Sequence, residues 1–180
     1  MIIILLADGF EEIEALTPLD LLRRAKLDVR TVAVGSKIAV GSHGIPVICD
    51  MTKEEVRLEE VSMVILPGGM PGTLNLDACE FVSEAIEATL SRGGRVGAIC
   101  AAPLILGRRG YLQGKRAVCY PGFEGELSGY IEADSTVVTD GNITTAKGMG
   151  AAGRFGFELL CHLIGKERAA EICRGAIMEI

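Results

Sequence analysis

Short aliphatic runs alternate with amphipathic segments along this chain. A run such as Met1–Leu6, which contains no polar residue, is typical of a strand buried on both faces of a parallel sheet. The same pattern, with turn residues as boundaries, predicts further strands at Val29–Val34, Val61–Leu66, Val96–Ile99, Ala117–Tyr120, Val137–Thr139 and Ile143–Ala146. The last two flank Asp140-Gly141-Asn142, a sequence typical of a tight hairpin turn.

Helices are predicted between these strands. Thr17 is expected to be the N-cap of the first helix, with Pro18 at its first position and its end near Ala25. Ile38–Ile48, which alternates and contains two glycines, is expected to form a small hairpin outside the main sheet. Strands that alternate with helices indicate an α/β sandwich around a largely parallel sheet, in a single domain of residues 1–180. Apolar residues at helical spacing predict the later helices at Leu76–Leu90, Ala151–Ile164 and Lys166–Arg174.

The composition narrows the classes of function. The chain carries 24 acidic and 18 basic side chains, a net charge of −6, which argues against a nucleic-acid-binding protein. Its six cysteines form no CxxC pair and no cluster with histidine, a pattern that fits free thiols in a reducing cytoplasm. The apolar N-terminal run is too short for a signal peptide or a membrane span. We therefore expect a cytoplasmic protein with no membrane partner, no nucleic-acid partner and no bound metal.

Cys100 occupies the position of greatest chemical interest. It follows the strand Val96–Ile99, and Pro103 begins the next helix, so the thiol lies on a sharp strand-to-helix turn. Backbone N–H groups at the start of that helix favour the thiolate, which is the reactive form. The small residues Ala101 and Ala102 leave room for a substrate. The alternative is a buried and unreactive cysteine, which is the commoner case for a free thiol.

Ligands of parallel sheets bind beyond the carboxyl ends of the strands. Glycine-rich or polar breaks occur at this edge after several predicted strands, and we expect them to converge. These segments are Asp8–Glu14, Pro67–Thr73, Cys100 itself, Tyr120–Phe123 and Lys147–Gly153.

Two of these segments supply candidate partners for Cys100. A protonated Glu14, with its pKa raised by burial, could tune the thiol and carry a proton during turnover. The alternative is that Glu14 is solvated and idle, as most acidic side chains are. The N–H of Gly69 could complete an oxyanion site together with the N–H of Ala101. The alternative for Leu66–Gly69 is a plain turn that ends a strand.

No cysteine–histidine pair is evident. His43 lies beside a glycine in the predicted hairpin and could reach a neighbouring site, whereas His162 fits the apolar side of a long helix. Tyr120 stands at a strand end where a base would be expected, but an unperturbed pKa of about 10 makes tyrosine a poor base at neutral pH. The glycine-rich Lys147–Gly150 lacks the spacing of a nucleotide-binding loop, so no nucleotide cofactor is expected.

Four motifs, in this order, resemble the ThiJ/PfpI family, and within it the parkinsonism-associated protein deglycase branch. They are Ala7–Glu14 (ADGFEEIE), Leu66–Gly69 (LPGG), Ala98–Pro103 (AICAAP) and Tyr120–Gly122 (YPG). The resemblance extends over essentially the whole chain. It implies a flavodoxin-like three-layer α/β sandwich, usually a homodimer, with no cofactor.

The resemblance also implies roles for single residues. Cys100 matches the reactive, easily oxidised cysteine of the family, and Glu14 matches its protonated acid partner. Gly69 and Ala101 match the backbone donors around that cysteine. Arg24 aligns with a basic residue near the site of some members, which makes it a candidate pocket residue beside His43.

This sequence departs from the family pattern at two positions. The protease-like branch has a histidine where this chain has Ala101, which argues against peptidase or amidase activity. Several deglycase-like members have a histidine where this chain has Tyr120, so protons must be moved by Glu14, the substrate or water.

Two functions are compatible with these residues. The first is a cofactor-independent glyoxalase or deglycase, in which Cys100 attacks a dicarbonyl such as methylglyoxal, or an early adduct with a thiol or amine, and Glu14 shifts the proton. The product would be a 2-hydroxy acid such as lactate, in protection against carbonyl and oxidative stress. The alternative is a redox-sensing, chaperone-like protein in which Cys100 stops at the sulfinic acid. Glutamine amidotransferase-like hydrolysis would need a late His-x-Glu motif, which the chain lacks.

Overall fold

The computed structural model describes residues 1–179. The strands are β1 (Ile2–Leu6), β2 (Val29–Ala33), β3 (Ile38–Val40), β4 (Pro46–Ile48), β5 (Met51–Thr52), β6 (Met63–Leu66), β7 (Arg95–Ile99), β8 (Arg116–Ala117), β9 (Ile131–Glu132), β10 (Val137–Asp140) and β11 (Ile143–Ala146). The α-helices are α1 (Glu12–Arg24), α2 (Gly72–Asp77), α3 (Glu80–Ser91), α4 (Pro103–Arg108), α5 (Ala152–Ile164) and α6 (Lys166–Gly175). Within the described range, no helix is both long and apolar enough to cross a membrane.

Seven strands form the central sheet, in the order β10-β11-β7-β6-β1-β2-β5. All neighbouring strands are parallel except β10 and β11, which form the predicted antiparallel hairpin at one edge. β1 is paired on both sides, since Ile2 lies opposite Val29 of β2 and Met63 of β6. The carboxyl ends of β1, β6 and β7 therefore meet at one edge of the sheet, where ligands bind in folds of this kind.

The alternation of side chains along β1 divides the core into two layers. Ile2, Ile4 and Leu6 belong to a buried cluster with residues of α1, α5 and α6. Ile3 and Leu5 belong to a second cluster with residues of α2, α3 and α4. Helices thus cover both faces of a mostly parallel sheet, and the predicted flavodoxin-like three-layer sandwich is confirmed.

The hairpin of β3 and β4 lies outside the central sheet, as predicted. It folds over the segment that connects β1 to α1. The N–H of Gly9 donates to the carbonyl of Val40 at 2.8 Å, and the N–H of Ser42 donates to the carbonyl of Phe10 at 2.7 Å. The hairpin therefore fixes the position at which α1 begins.

The prediction that Thr17 caps a helix beginning at Pro18 is wrong. α1 begins at Glu12 and continues through Pro18, which lies in its interior. A proline inside a helix lacks one hydrogen-bond donor and costs about 3 kcal/mol relative to alanine. The cost is offset by packing, since α5 approaches so closely at Gly156 that an added Cβ there would lie 2.7 Å from Leu21 Cδ1. The early start places Glu14 within the first turn of the helix.

Two other predicted elements are also corrected. Leu76–Leu90 is not one helix, because α2 ends at Asp77 and α3 begins at Glu80. The side chain of Arg108 bonds to Asp77 at 2.5 Å, and Arg109 bonds to the backbone carbonyl of Asp77 at 2.9 Å. These long-range contacts stabilise a break for which the local sequence contains no glycine or proline. The predicted strand Ala117–Tyr120 is reduced to β8, which pairs with β9 outside the central sheet.

Thr89 on α3 is buried, and its hydroxyl has no hydrogen-bond partner among the described residues. An unpaired buried hydroxyl costs about 1–3 kcal/mol. We expect Thr89→Val, which keeps the shape and removes the polar atom, to raise the free energy of unfolding by about 1 kcal/mol. Equilibrium urea unfolding measures this change. Thr139→Val is the control and should destabilise the protein, because the Thr139 hydroxyl bonds to that of Thr144 at 2.9 Å. A Thr89→Val variant less stable than the wild type would contradict the prediction.

Candidate active site

Cys100 lies between the end of β7 and the start of α4, on the turn predicted from the sequence. Its backbone has a φ of +66°, in the left-handed region that side chains other than glycine rarely adopt. The N–H of Cys100 donates to the carbonyl of Ala146 at 2.9 Å, and its own carbonyl accepts from the N–H of Tyr120 at 2.8 Å. These two bonds, to the last residue of β11 and from the segment after β8, hold the strained turn and present the thiol at the edge of the sheet.

Glu14 projects from the first turn of α1 and is only 1% exposed. Its Oε2 accepts the N–H of Gly68 at 2.9 Å. A Cβ added to Gly68 would lie 2.5 Å from Cys100 Cβ and 2.6 Å from Glu14 Oε2, so a glycine is required for the two side chains to meet there. The structure therefore brings Glu14 and Cys100 together, although they are far apart along the chain.

The protonation of this pair is governed by burial. Burial raises the pKa of Glu14 to about 7, against hydrogen bonds from Cys100 and Gly68 that favour the carboxylate. Burial and the negative charge of Glu14 raise the pKa of the Cys100 thiol to about 12, while the N–H groups of Gly69 and Ala101 act in the opposite direction. The N–H groups at the helix start favour the thiolate, as expected, but burial and the charge of Glu14 act against them. Burial and the charge of Glu14 thus favour the protonated thiol.

Gly69 and Ala101 lie on the two sides of Cys100. The backbone N–H groups of both residues act on the Cys100 thiol and lower its pKa. Gly69 has a φ of +90°, and a Cβ on it would lie 2.4 Å from the backbone nitrogen of Glu11. Two N–H donors that converge on one atom can also stabilise a negatively charged oxygen formed there. The oxyanion site expected at these two N–H groups stays a prediction.

Tyr120 lies beside this turn but is held there mainly through its backbone. Its ring is half-exposed and packs edge-on against Phe123, with ring centroids 6.4 Å apart. A Cβ on Gly148 would lie 3.3 Å from the ring, so the glycine-rich segment after β11 borders the same site. All five sequence segments that were expected to converge therefore meet at this edge of the sheet.

Arg24 and His43 do not contact Cys100. Arg24 is the last residue of α1 and pairs with Asp20 at 2.6 Å. It follows Glu14 by ten residues, which corresponds to about 15 Å along a helix. His43 is exposed at the tip of the hairpin, where its Nδ1 lies 3.0 Å from Glu12 Oε2. His43 is thus a neighbour of the site and not a partner of the thiol.

Glu12 is a residue of this region that the sequence did not single out. It is buried, and its Oε1 accepts the N–H groups of His43 at 2.9 Å and Ile45 at 3.4 Å. A Cβ on Gly41 would lie 2.2 Å from the same oxygen. The sequence does contain a hint of this anchor, since an acidic residue in the first turn of a helix is followed later by a glycine-containing hairpin. The hint could be used only if the helix had been predicted to begin at Glu12. Glu12 anchors the hairpin to the helix that carries Glu14.

One group of potential metal ligands occurs among residues 1–179. The ligand atoms of Glu11, Glu12 and His43 lie within 4.8 Å of one another. The Ser42 hydroxyl bonds to Glu11 Oε2 at 3.0 Å and to Glu12 Oε2 at 3.3 Å. The oxygens of Glu12 are thus engaged by the hairpin, and we assign the group a structural role.

The Glu12 anchor makes stability depend on acid pH. Burial opposes ionisation of Glu12, but the hydrogen bonds from His43 and Ile45 outweigh it and lower the pKa of Glu12 to about 2. Stability from this carboxylate is fully present above pH 4.5, its ordinary value, and is lost as the pH falls towards 2. We expect Glu12→Gln to lower the free energy of unfolding at pH 7 by about 2 kcal/mol, with a smaller difference at pH 3. Urea unfolding at both pH values measures this. The exposed Glu84→Gln is the control, and a pH-independent difference would contradict the assignment.

The sequence matches the family model described as DJ-1/PfpI family over residues 1–162. The chain belongs to the DJ-1/PfpI family. This is the family whose motifs the sequence resembles. The matched residues include the segments that carry Glu14, Gly69 and Cys100. In the DJ-1/PfpI family, protein dj-1beta of Drosophila melanogaster is 33% identical over 98% of this chain and 96% of its own length. The crystal structure of Drosophila melanogaster DJ-1beta has a TM-score of 0.93 at 32% identity, covering 99% of this chain and 98% of that chain.

Two other relatives are named for an activity. A glutathione-independent glyoxalase of Caenorhabditis elegans is 28% identical over 96% of this chain and 93% of its own length. A deglycase of Pyrococcus abyssi (strain GE5 / Orsay) is 33% identical over 81% of this chain and 89% of its own length. Relatives of this chain in the DJ-1/PfpI family thus include proteins named as enzymes.

Proposed function

We propose that this DJ-1/PfpI member is a cofactor-independent cysteine enzyme that converts reactive dicarbonyls such as methylglyoxal, or their early adducts with thiols and amines, into 2-hydroxy acids. The observation that carries the proposal is the buried Glu14 carboxyl beside Cys100, whose pKa is raised to about 7. A group with this pKa is partly ionised at neutral pH, so it can both accept and return a proton. The glyoxalase and deglycase names of two relatives support the same chemistry.

The first step forms a bond between the thiol and the substrate. Cys100 Sγ attacks the aldehyde carbon while the Glu14 carboxylate takes the proton of the thiol. This pairing is suited to a thiol with a raised pKa, because the proton leaves only as the carbon–sulfur bond forms. The N–H groups of Gly69 and Ala101 stabilise the developing oxyanion. Glu14 then gives the proton to this oxygen, which forms a hemithioacetal and leaves Glu14 as a carboxylate for the second step.

The second step moves a proton between neighbouring carbons. Glu14 removes the proton from the former aldehyde carbon and returns a proton to the former ketone carbon. The first carbon is oxidised to a thioester and the second is reduced to an alcohol, so no external oxidant or reductant is needed. Water then hydrolyses the thioester, which frees the Cys100 thiol. In total, one methylglyoxal and one water give one lactate. None of these steps uses a histidine at position 120, because Glu14 moves the protons.

Lactate formation from methylglyoxal tests this proposal directly. Freshly purified, fully reduced protein should produce lactate above the rate of the buffer, as measured in an assay coupled to lactate dehydrogenase. Cys161→Ser is the matched control, because Cys161 is a free, partly buried cysteine on α5 and its loss should leave the rate unchanged. The absence of lactate from the wild-type protein would refute the glyoxalase form of the proposal.

A redox function is the second candidate, and Tyr120 in the place of a histidine is the observation that favours it. Without that histidine, turnover depends on Glu14 alone. The Gly69 and Ala101 N–H groups that reach Cys100 could equally hold the oxygens of a sulfinate. Mass spectrometry of the Cys100 peptide after mild peroxide treatment separates the two functions. If the Cys100 side chain stably gains two oxygen atoms and the protein produces no lactate, the redox function is supported instead.

We also propose that two copies of the chain form a homodimer through the β3–β4 hairpin and the start of α1. This region exposes the isoleucines Ile13, Ile45 and Ile48, the last of them 75% exposed. Exposed apolar patches of this kind commonly mark protein contacts. Sedimentation velocity should show a dimer for the wild type and a monomer for Ile48→Lys. The control is Ile131→Lys on β9, which should remain dimeric, and a monomeric wild-type protein would refute the proposal.

A further inference from the structure

A cavity of about 390 Å³ lies beyond the carboxyl ends of β1 and β2. Its apolar lining consists of Leu6, Ala7, Val34, Ala39 and Ala78, which come from the end of β1, the residue after β2, the hairpin and the junction of α2 and α3. A volume of this size is within the range of small-molecule sites. Its position matches the sheet edge at which parallel α/β folds bind ligands.

This cavity is separate from the candidate active site. Neither Cys100 nor Glu14 lines it. Cys100 follows β7, and β6 lies between β7 and β1, whereas the cavity extends from β1 towards β2 on the other side. A ligand in this cavity would therefore occupy a second site.

One part of the lining is suited to an anion. Lys53 is half-buried and has no ion-pair partner within residues 1–179, while its charged neighbours Lys37 and Glu55 pair with each other at 3.7 Å. Gly35 and Ser36 also belong to the lining, and their backbone N–H groups donate to no acceptor in the described part of the chain. An ammonium and two free N–H groups match the oxygens of a carboxylate.

Another part of the lining is suited to a cation. Asp8 Oδ1 accepts the N–H of Val40 at 2.9 Å, which leaves Oδ2 free, and Asp8 forms no ion pair with the described residues. Asn75 Nδ2 donates to the backbone carbonyl of Asp8 at 2.8 Å, which leaves the amide oxygen free. A carboxylate oxygen and an amide oxygen in one lining match the N–H groups of an ammonium.

We propose that this cavity binds a free aliphatic α-amino acid. Asp8 and Lys53 line one cavity without pairing with each other, so it presents separated charges of both signs. A zwitterion complements this arrangement, with its carboxylate at Lys53 and its ammonium at Asp8. Its side chain packs against the apolar lining, where burial of aliphatic surface adds to the binding.

Isothermal titration calorimetry with L-leucine tests the proposal. We expect saturable binding to the wild-type protein. Binding should be about tenfold weaker or more for 4-methylpentanoate, which lacks the ammonium, and for 3-methylbutylamine, which lacks the carboxylate, because each loses a charged hydrogen-bonding group. Cys79 provides a local readout, since it lines the cavity. L-leucine should slow the alkylation of Cys79 by iodoacetamide and leave that of Cys100 unchanged, as followed by peptide mass spectrometry.

Two charge-deletion variants complete the test. Asp8→Asn keeps an oxygen for the N–H of Val40 and removes the negative charge, and Lys53→Gln removes the positive charge. Each should weaken L-leucine binding by about tenfold or more, whereas the control Lys37→Gln should bind as the wild type does. No saturable binding at millimolar L-leucine, wild-type affinity in both charge-deletion variants, or unprotected Cys79 would each overturn the proposal.

Discussion

Replacing Cys100 with serine is expected to reduce lactate production from methylglyoxal to the rate of buffer alone. A serine hydroxyl is much less acidic and less nucleophilic than a thiol, so it does not replace the thiol in the attack on the aldehyde carbon. The backbone bonds of residue 100 to Ala146 and Tyr120 do not involve the side chain, so the turn should persist. The variant thus removes the sulfur and little else.

The fold of Cys100→Ser must be shown to be intact for this result to count. Its melting temperature should equal that of the wild type, and the control Cys161→Ser should keep full activity. Loss of activity in both variants would indicate general damage to the protein. A Cys100→Ser variant with wild-type lactate production would show that Cys100 is not the nucleophile.

Replacing Glu14 with glutamine is expected to lower the rate by about 10²–10⁴-fold, the usual contribution of a general base. Glutamine keeps an oxygen that accepts the N–H of Gly68, so the local geometry is preserved, but it cannot take the proton of the thiol. In the wild type, the rate should rise with pH through about 7 as Glu14 ionises. This rise should be absent in Glu14→Gln, and a variant with an unchanged rate and pH profile would exclude Glu14 as the base.

Glu14→Gln should also be more stable than the wild type above neutral pH. The pKa of Glu14 is raised from 4.5 to about 7 by burial, so the native state binds more protons than the unfolded chain between these pH values. Ionisation of Glu14 therefore costs native-state stability as the pH rises from 4.5 to 7. We expect Glu14→Gln to gain about 2–3 kcal/mol at pH 8 relative to the wild type, and little at pH 4. Urea unfolding at both pH values measures this gain, with the exposed Glu84→Gln as control. A loss of stability at pH 8 would point to a structural role instead.

Several parts of the site could be predicted because their signals are local. Cys100 follows an aliphatic strand directly and precedes Pro103, so the strand-to-helix turn can be seen in a dozen residues. The two glycines after β6 indicate a close approach of the backbone for the same reason. The hairpins at Ile38–Ile48 and at Asp140–Asn142 could also be predicted from neighbouring residues alone.

Other features could not be predicted, because distant packing decides them. Pro18 is a strong local signal for a helix start, yet contact with α5 keeps it inside α1. The break between α2 and α3 depends on arginines some thirty residues later, which bond to Asp77. Glu12 resembles any exposed acid in the sequence, and only the hairpin folded over it makes it a buried anchor.

The sequence by itself determined the α/β sandwich, the turn that presents Cys100 and the set of segments that meet at the sheet edge. These follow from periodicity and turn chemistry, which depend on neighbours along the chain. Only the tertiary structure decided that α1 begins early enough to bury Glu14 against Gly68, 54 residues away in the sequence. It also decided that burial raises the pKa of Glu14 to about 7 and raises the pKa of the Cys100 thiol as well. The physical reason is that these pKa values depend on desolvation. Residues from many segments of the chain together exclude water from the core, so no single segment determines the desolvation of a side chain.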